Sequence, residues 1–502
     1  MRRAPRTLSR HPANRPAGPS LPGRRPASTL SSLPRVTGVV KWSLLADKRN
    51  STLTALIISF VLALFVSFHS GDNTFTVGDS DTYWTLANTF LSHGSFSFSA
   101  FHNPDFGYSL PLLDLGLRKV AALLGLTPLT VLRVSNSMLF SVLVAVLLPL
   151  FAQRIWMDAT FGTARRLAVA LLVLILWAGF LNYNLTDFPG VFALLLAILA
   201  VTGGQRHFML RCGLSGVLVA VAVNLRPPYL LCPFLLLLLI GLTTKPDAKT
   251  KISKARTLCV TAALVGIVLA SLPESWSNHE YYGTWDPIAG APARITNVQL
   301  SDGLSDQRYD TNIGQQGYPA QLVYTDNATL PLLDALPHQQ VSGYAQYATI
   351  ILHHPLTMAG GLFRRFVNGM DQHYDSAYVT AIHREPDFLD VLSGALLIVA
   401  VARILIAAQR LLRLAPSQGV LLAAFLSPCL AALPSAMETR FMLPVSLTCC
   451  LIVSLPGWRT DIAQFVARRG HAGPVLALTA MLISYGAWFA IIGNTLASLA
   501  PR

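Results

Sequence analysis

The chain has 502 residues, of which 53% are hydrophobic and only 12% are charged. A soluble domain carries about 25% charged residues, so this composition excludes an ordinary soluble protein. The net charge of +14 would suit a nucleic-acid partner, but the basic residues concentrate on one predicted side of a membrane, and we expect no nucleic-acid partner.

The first 50 residues predict a disordered, basic cytoplasmic tail. They contain eleven Lys and Arg residues and a single acid, Asp47. They lack the apolar stretch followed by a small-residue cleavage site that marks an ordinary signal peptide. Such a tail either fixes the membrane topology or also touches anionic lipid.

Apolar runs of about 20 residues recur beyond this tail and predict an all-α polytopic membrane protein. We assign 51–460 to the main transmembrane region, and 461–502 to a cytoplasmic loop plus the last transmembrane helix. The pair of runs around NLRPPYLL (224–231) could instead form one broken helix. The predicted transmembrane helices, about eleven, lie at 52–69, 129–151, 167–182, 187–203, 211–224, 228–243, 257–273, 389–408, 417–433, 441–456 and 474–497.

The distribution of charge predicts the orientation of these helices. With the N-terminus inside, most Lys and Arg residues fall on the cytoplasmic side, as the positive-inside rule requires. Of the 24 acidic residues, only Asp47, Asp158, Asp247 and Asp461 fall there. The sequence therefore predicts a cytoplasmic N-terminus, an acidic outer face and an outer C-terminus.

Two long outer loops are predicted, at about 70–128 and 274–388. The first contains amphipathic stretches at 81–92 and 110–124 that are typical of helices lying on a membrane surface. The second ends in a similar stretch, 344–368, which we expect Pro355 to break.

The sequence lacks HExxH, Walker A and GxSxG motifs, and its six cysteines all lie in apolar runs. Neither an ATP-driven nor a serine-hydrolase mechanism is indicated, and neither a disulfide framework nor a Cys-ligated metal is expected. Ionisable groups beside a membrane are costly and therefore mark candidate functional sites.

GDSDTYW (78–84) is the first such candidate. One of Asp79, Ser80 and Asp81 is expected to cap a helix that starts at Thr82. Two acids are more than a cap needs, so at least one is a candidate general base. Asp187, in a tight outer turn, either caps the next helix or belongs to the site.

Two arginines are candidates for binding an anion. Arg226 lies between two apolar runs and either snorkels to the membrane surface or clamps a phosphate, whose oxygens a guanidinium matches. Arg440 has the same two interpretations, with Glu438 as its candidate structural partner. His279 and Glu280 either contact a substrate or belong to a solvated loop.

The order of these motifs resembles the GT-C superfamily of membrane glycosyltransferases, which includes protein mannosyltransferases and aminoarabinose transferases. Asp79 follows the first span, with Tyr83 four residues later. NPDFGYSL, which contains Tyr108, takes the place of a Pro-Gly-Tyr-Pro-like turn. Arg226–Pro227, NHEYYGTWDP and the Glu438–Arg440 stretch follow in the same order. The second acid usual in this family is replaced here by Ser80.

This resemblance implies transfer of a sugar from a polyprenyl-phosphate donor to an acceptor on the outer, periplasmic face. Asp79 would be the general base, and Asp81 a helper or a helix cap. Inversion at the sugar is expected from a single displacement, with an arginine on the departing phosphate. The residues expected to bind substrate are Tyr83, Tyr108, Asp187, Arg226, His279, Glu280, Glu438 and Arg440.

The expected partners are the lipid-linked sugar donor, a glycan, lipid or protein acceptor, and membrane lipids. No cofactor is fixed by the sequence, and a divalent cation stays open. The Arg/Ala/Leu-rich composition suggests the inner membrane of a bacterium. Two alternatives are a transporter or flippase of a lipid-linked or anionic solute, which should place substrate groups near the bilayer midplane, and a non-catalytic GT-C-like scaffold.

Overall fold

The computed structural model describes residues 39–500 except 71–74, 102, 104–105, 158, 205, 245–251, 289–291 and 471. Most of the predicted N-terminal tail therefore lies outside the described residues. The chain divides into two units, and the larger one begins at Lys48.

Helices dominate the described part of the chain. They are α1 (Val39–His69), α2 (Gly78–Leu86), α3 (Ser109–Leu124), α4 (Pro128–Val142), α5 (Leu148–Ile155), α6 (Thr163–Trp177), α7 (Asp187–Thr202), α8 (Phe208–Leu225), α9 (Cys232–Thr243), α10 (Ile252–Tyr282), α11 (Pro292–Ser305), α12 (Leu330–Asp334), α13 (Tyr344–His353), α14 (Pro355–Met370), α15 (Phe388–Ile406), α16 (Ala408–Leu411), α17 (Pro416–Ala432), α18 (Leu443–Ser454), α19 (Trp458–Arg469) and α20 (Ala472–Ala497).

Each of the eleven predicted spans coincides with a helix, but fewer are long enough to cross a membrane alone. Among the described residues, 7 helices are long and apolar enough, or up to 8 if a pair bent by 81° at the end of α18 counts as one span. Three further apolar helices are shorter: Asp187–Thr202, Pro227–Thr243 and Pro416–Ala432. The multi-pass helical architecture agrees with the sequence, whereas the count of eleven and the orientation of the N-terminus stay predictions.

Prolines shape the break at NLRPPYLL. Because a residue before proline is disfavoured in the α region, α8 ends at Leu225 and Arg226 is extended, with φ −150° and ψ 113°. A short 3₁₀ turn, Pro227–Leu231, then leads into α9. The break leaves the Arg226 side chain where two helices meet.

The structure also contains short strands, which the all-α prediction missed. They are β1 (Leu91–Ser92), β2 (Ser95–Phe96), β3 (Asp306–Thr311), β4 (Gln321–Thr325) and β5 (Leu499–Ala500). β3 pairs antiparallel with β4, and β4 pairs antiparallel with β5. The chain end after α20 therefore lies beside the second long loop, as expected if both are on one side of the membrane.

The helices predicted within the two long loops are present, with one correction. α3 matches 110–124, and the break at Pro355 separates α13 from α14. The helix predicted to start at Thr82 instead begins at Gly78, after Val77, which makes no side-chain cap. The capping role expected of Asp79, Ser80 or Asp81 is therefore wrong. Asp79 and Asp81 both lie in the first turn of α2, where a negative charge interacts favourably with the helix dipole.

Gly78 allows this earlier start. Its φ is +50°, and a Cβ atom there would lie 2.8 Å from Cε1 of Tyr378. The left-handed conformation costs a residue with a Cβ atom about 1–2 kcal/mol, and the Tyr378 ring leaves no space for that atom. Glycine thus lets the turn before Asp79 pack against the segment that carries Tyr378.

Gly78→Ala should lower the free energy of unfolding by more than the backbone strain alone, which is about 1–2 kcal/mol. Gly125→Ala is the matched control, because Gly125 has φ +63° but a Cβ atom added there would meet no described neighbour within 4 Å. Thermal unfolding in detergent should show the larger loss for Gly78→Ala. Equal losses would mean that the Tyr378 contact does not constrain this turn.

Candidate functional site

Arg440 connects the first long loop with the segment that precedes α18. Its Nη2 donates to Oδ2 of Asp79, in α2, at 3.0 Å. Its Nε donates to Glu438, which precedes α18, and the Tyr309 side chain of β3 lies near both Glu438 and Arg440. One guanidinium therefore lies between two carboxylates, as a bidentate donor can. The Asp79 side chain is 39% exposed and can be reached from outside.

Arg226 forms a second ion pair beside the first. Its Nη1 donates to Oδ1 of Asp187, and both side chains are buried. Its guanidinium carbon lies 4.9 Å from the centre of the Phe441 ring. The snorkelling interpretation of Arg226 is therefore wrong. The alternative role of Asp187 as a helix cap is also wrong, because Asp187 is the first residue of α7, Thr186 precedes it as the cap, and the Asp187 carboxylate binds Arg226.

The two arginines are close enough to influence each other. Burial first, and then the charge of Arg440, lower the pKa of Arg226. An arginine stays protonated in spite of such a shift. Arg226, which is held by the buried Asp187, and the neighbouring Arg440 thus place two guanidinium groups side by side. Such a pair suits an anion with several oxygens.

Arg440 also forms part of the wall of two pockets. The first, which we name the apolar pocket, is lined by Arg226, Pro228, Tyr229, Pro428, Ala432, Arg440, Phe441, Leu443 and Pro444. The second, the polar pocket, is lined by Phe180, Arg308, Asp310, Thr311, Gln372, Tyr374, Ser376, Ala377, Glu438, Thr439 and Arg440. The acid–arginine cluster thus separates an apolar environment from one rich in hydrogen-bonding groups.

Tyrosines surround the cluster. Burial, followed by the charge of the nearby Asp79, raises the pKa of Tyr83 to about 12. The Tyr378 hydroxyl accepts a hydrogen bond of 3.1 Å from the backbone N–H of Ser80. Burial also raises the pKa of Tyr378. Both phenols therefore stay neutral hydrogen-bonding groups near neutral pH.

Six residues predicted for the site meet in this cluster. They are Asp79, Tyr83, Asp187, Arg226, Glu438 and Arg440. Sequence reasoning missed Arg308, Tyr309 and Tyr378, which come from the second long loop. The only signal for them was the polar, acidic composition of that loop, which does not single out individual residues.

The other four predicted site residues make their contacts elsewhere. The charge of Asp81 acts on Arg118 of α3. The Tyr108 hydroxyl donates to the backbone oxygen of Ala270 at 2.6 Å. The His279 ring stacks on Trp285 with 4.3 Å between ring centres. Glu280 is exposed at the end of α10. The catalytic role expected of Asp81 and the substrate contacts expected of Tyr108, His279 and Glu280 stay predictions.

The fold and this cluster define a polytopic helical membrane protein with a paired acid–arginine site between two pockets. No protein-family model matches the chain, and no curated protein matches it. Solved structures of the oligosaccharyltransferase of Archaeoglobus fulgidus are similar to it. These include AglB in complex with an inhibitory peptide and a dolichol-phosphate (TM-score 0.39, 12% identity) and the apo form (TM-score 0.44, 13% identity).

Each match covers 90% of this chain and 56% of the other, so this chain spans about half the length of those proteins. The likeness is distant, and the function of this chain is therefore inferred from its own site.

A buried polar chain supports the turn that carries Asp79. The backbone N–H of Asn184 donates to Oγ of Ser80 at 2.7 Å, and the Asn184 side chain donates to Oδ2 of Asp114 at 2.6 Å. Burial raises the pKa of Asp114 to about 7. A protonated Asp114 is the form that this buried position favours.

This raised pKa predicts a pH-dependent stability. The unfolded chain releases the Asp114 proton near pH 4, whereas the folded chain keeps it up to about pH 7. Asp114 therefore destabilises the fold progressively as the pH rises between these values. Asp114→Asn should flatten the fall of the melting temperature between about pH 4 and about pH 7. Asp334→Asn, which removes an exposed carboxylate, is the control, and an unchanged slope in Asp114→Asn would contradict this assignment.

Proposed function

We propose that the chain is an integral membrane glycosyltransferase that moves a sugar from a polyprenyl-phosphate donor to an acceptor on the outer face of the membrane. The observation that carries the proposal is the position of Arg440. It pairs with the candidate base Asp79 and borders both an apolar and a polar pocket. A transfer between a lipid-linked donor and a polar acceptor needs these three elements side by side.

The apolar pocket suits the phosphate end of the donor. Arg226 and Arg440 offer guanidinium groups to phosphate oxygens, while prolines, Tyr229 and Phe441 exclude water around them. Exposed apolar side chains near this wall, Leu231 and Phe234, would contact a prenyl tail in lipid. Charge-assisted hydrogen bonds are strongest in such a water-poor site.

The polar pocket suits the sugar and the acceptor. Arg308, Asp310 and Gln372 present donors and acceptors for sugar hydroxyls. Arg308 is held on two sides, because its Nε and Nη1 donate to Asp310 and Asp371 at 2.8 and 2.9 Å. A fixed guanidinium of this kind positions a substrate without losing further side-chain entropy.

The proposed reaction is a single displacement at the anomeric carbon. The acceptor atom forms its bond to this carbon while the bond from the carbon to the phosphate oxygen breaks. Asp79 takes the acceptor proton, and Arg226 and Arg440 stabilise the charge that develops on the departing phosphate. Because the acceptor attacks opposite the phosphate, the configuration of the sugar inverts.

Asp79→Asn should lower the transfer rate by about 100-fold or more, because general base catalysis contributes this much. Asp334→Asn is the control, since it removes an exposed carboxylate outside the cluster. The measurement is transfer of radiolabelled sugar from a polyprenyl-phosphate donor, in membranes with equal amounts of each variant. Full activity of Asp79→Asn would rule out the proposed base.

Arg226→Gln should raise the KM for the donor by about 10-fold or more, the effect of losing a charge-assisted contact. This variant alone leaves Asp187 buried without its partner, which destabilises the fold. The double variant with Asp187→Asn removes that charge and should fold while keeping the raised KM. A double variant with the wild-type KM would show that Arg226 acts only as the structural partner of Asp187.

A further inference from the structure

The segment 371–374 has two faces with different roles. It leaves α14 in an extended conformation, with φ −87° and ψ 116° at Asp371. Side chains alternate across an extended segment, and Gln372 and Tyr374 line the polar pocket. The two remaining side chains, Asp371 and His373, are fully buried. The back of the polar pocket is therefore held by an acid and a histidine that the proposed reaction does not use.

These two side chains meet a second buried acid, Asp390, near the start of α15. Potential ligand atoms of the three residues all lie within 4.8 Å of one another. His373 Nδ1 lies 3.1 and 3.0 Å from the two oxygens of Asp390. None of the three side chains is exposed to solvent, so water does not compensate their charges.

Asp371 contributes an oxygen that has no hydrogen-bond partner among the described residues. Its Oδ2 accepts from Nη1 of Arg308 at 2.9 Å. Its Oδ1 is fully buried and is left without a donor. A buried carboxylate oxygen without a donor is costly, and this one belongs to a side chain of the same three-residue cluster.

The histidine contributes a nitrogen that is directed at an acid of the cluster. His373 Nε2 lies 2.9 Å from the backbone oxygen of His383, a contact that requires a proton on Nε2. Its Nδ1 forms an ion pair with Asp390 when the ring is protonated. A metal ligand must be a neutral imidazole, so a cation at this place would displace the Nδ1 proton and bind to the lone pair.

The charges around the cluster support a divalent cation. Arg308 pairs with Asp310 and Asp371, and His373 pairs with Asp390. If a metal ion displaced the protons of His373 and Asp371, the three carboxylates would exceed the one guanidinium by two charges, which a divalent cation would balance. An imidazole nitrogen with carboxylate oxygens suits Zn²⁺ or Mn²⁺. We propose that Asp371, His373 and Asp390 bind a divalent transition-metal cation behind the polar pocket.

The cation would position the polar pocket without touching the substrate. It would fix Asp371 and His373, and through them the pocket-lining Gln372 and Tyr374. Arg308 shares Asp371 with the site, so its orientation would depend on the cation as well. This role does not depend on the reaction proposed above, and it extends to any ligand that the polar pocket binds.

The test measures metal content in the full chain, purified in detergent with a tag that lacks histidine. After incubation with Zn²⁺ or Mn²⁺ and gel filtration, elemental analysis should find about one cation per chain. His373→Asn and Asp390→Asn should lose it. His383→Ala is the control, because it removes an exposed imidazole but keeps the backbone oxygen that binds His373. Loss of metal in the control as well as in the cluster variants would overturn the assignment.

A second measurement needs only the wild-type chain. X-ray absorption at the zinc edge should show a first shell of nitrogen and oxygen without sulfur, and a chelator should lower the melting temperature. A wild-type chain that binds no metal, with a melting temperature unaffected by the chelator, would mean that protons alone neutralise the cluster. Transfer activity is not needed for either readout, so failure of the proposed function and failure of this site are distinguishable.

Discussion

The ion pair between Arg440 and Asp79 is the interaction on which the arrangement of the site depends. It joins residues separated by 361 positions in the sequence and holds α2 against the turn before α18. The Asp79 side chain is 39% exposed, so solvent screens part of the attraction, and the pair stabilises the arrangement by less than a fully buried pair would. Glu438 supplies the second compensating charge. The first outer loop is thus fixed to the last third of the chain by charge.

A second ion pair, Arg226 with Asp187, places another guanidinium near the first. The proline break after α8 makes this possible, because Arg226 leaves the helix just where α7 begins. The two arginines give a positive site with an apolar wall on one side. On the other side, Arg440 borders a pocket with carboxylates and amides. The proposed sugar transfer rests on this contrast between the two pockets. A lipid-linked donor suits the apolar pocket, and a sugar and its polar acceptor suit the other.

Behind the site lie buried polar groups that hold its backbone. Asn184 connects Ser80 with Asp114 on one side. Asp371 connects Arg308 with the proposed cation cluster on the other. Buried polar networks are costly when incomplete and rigid when satisfied, so they position the residues that face the pockets.

The sequence by itself determined the multi-pass helical class and six residues of the cluster, because apolar runs and isolated charges beside them are conspicuous in a chain with few charges. It did not predict that Asp79 pairs with Arg440, since the packing of distant helices leaves no local pattern. It placed a helix cap at Asp79–Asp81, whereas Gly78 and Tyr378 start the helix earlier. The tertiary structure alone decided the contributions of Arg308, Tyr309 and Tyr378, because the loop that carries them has no periodicity and acquires its register only by pairing with distant segments.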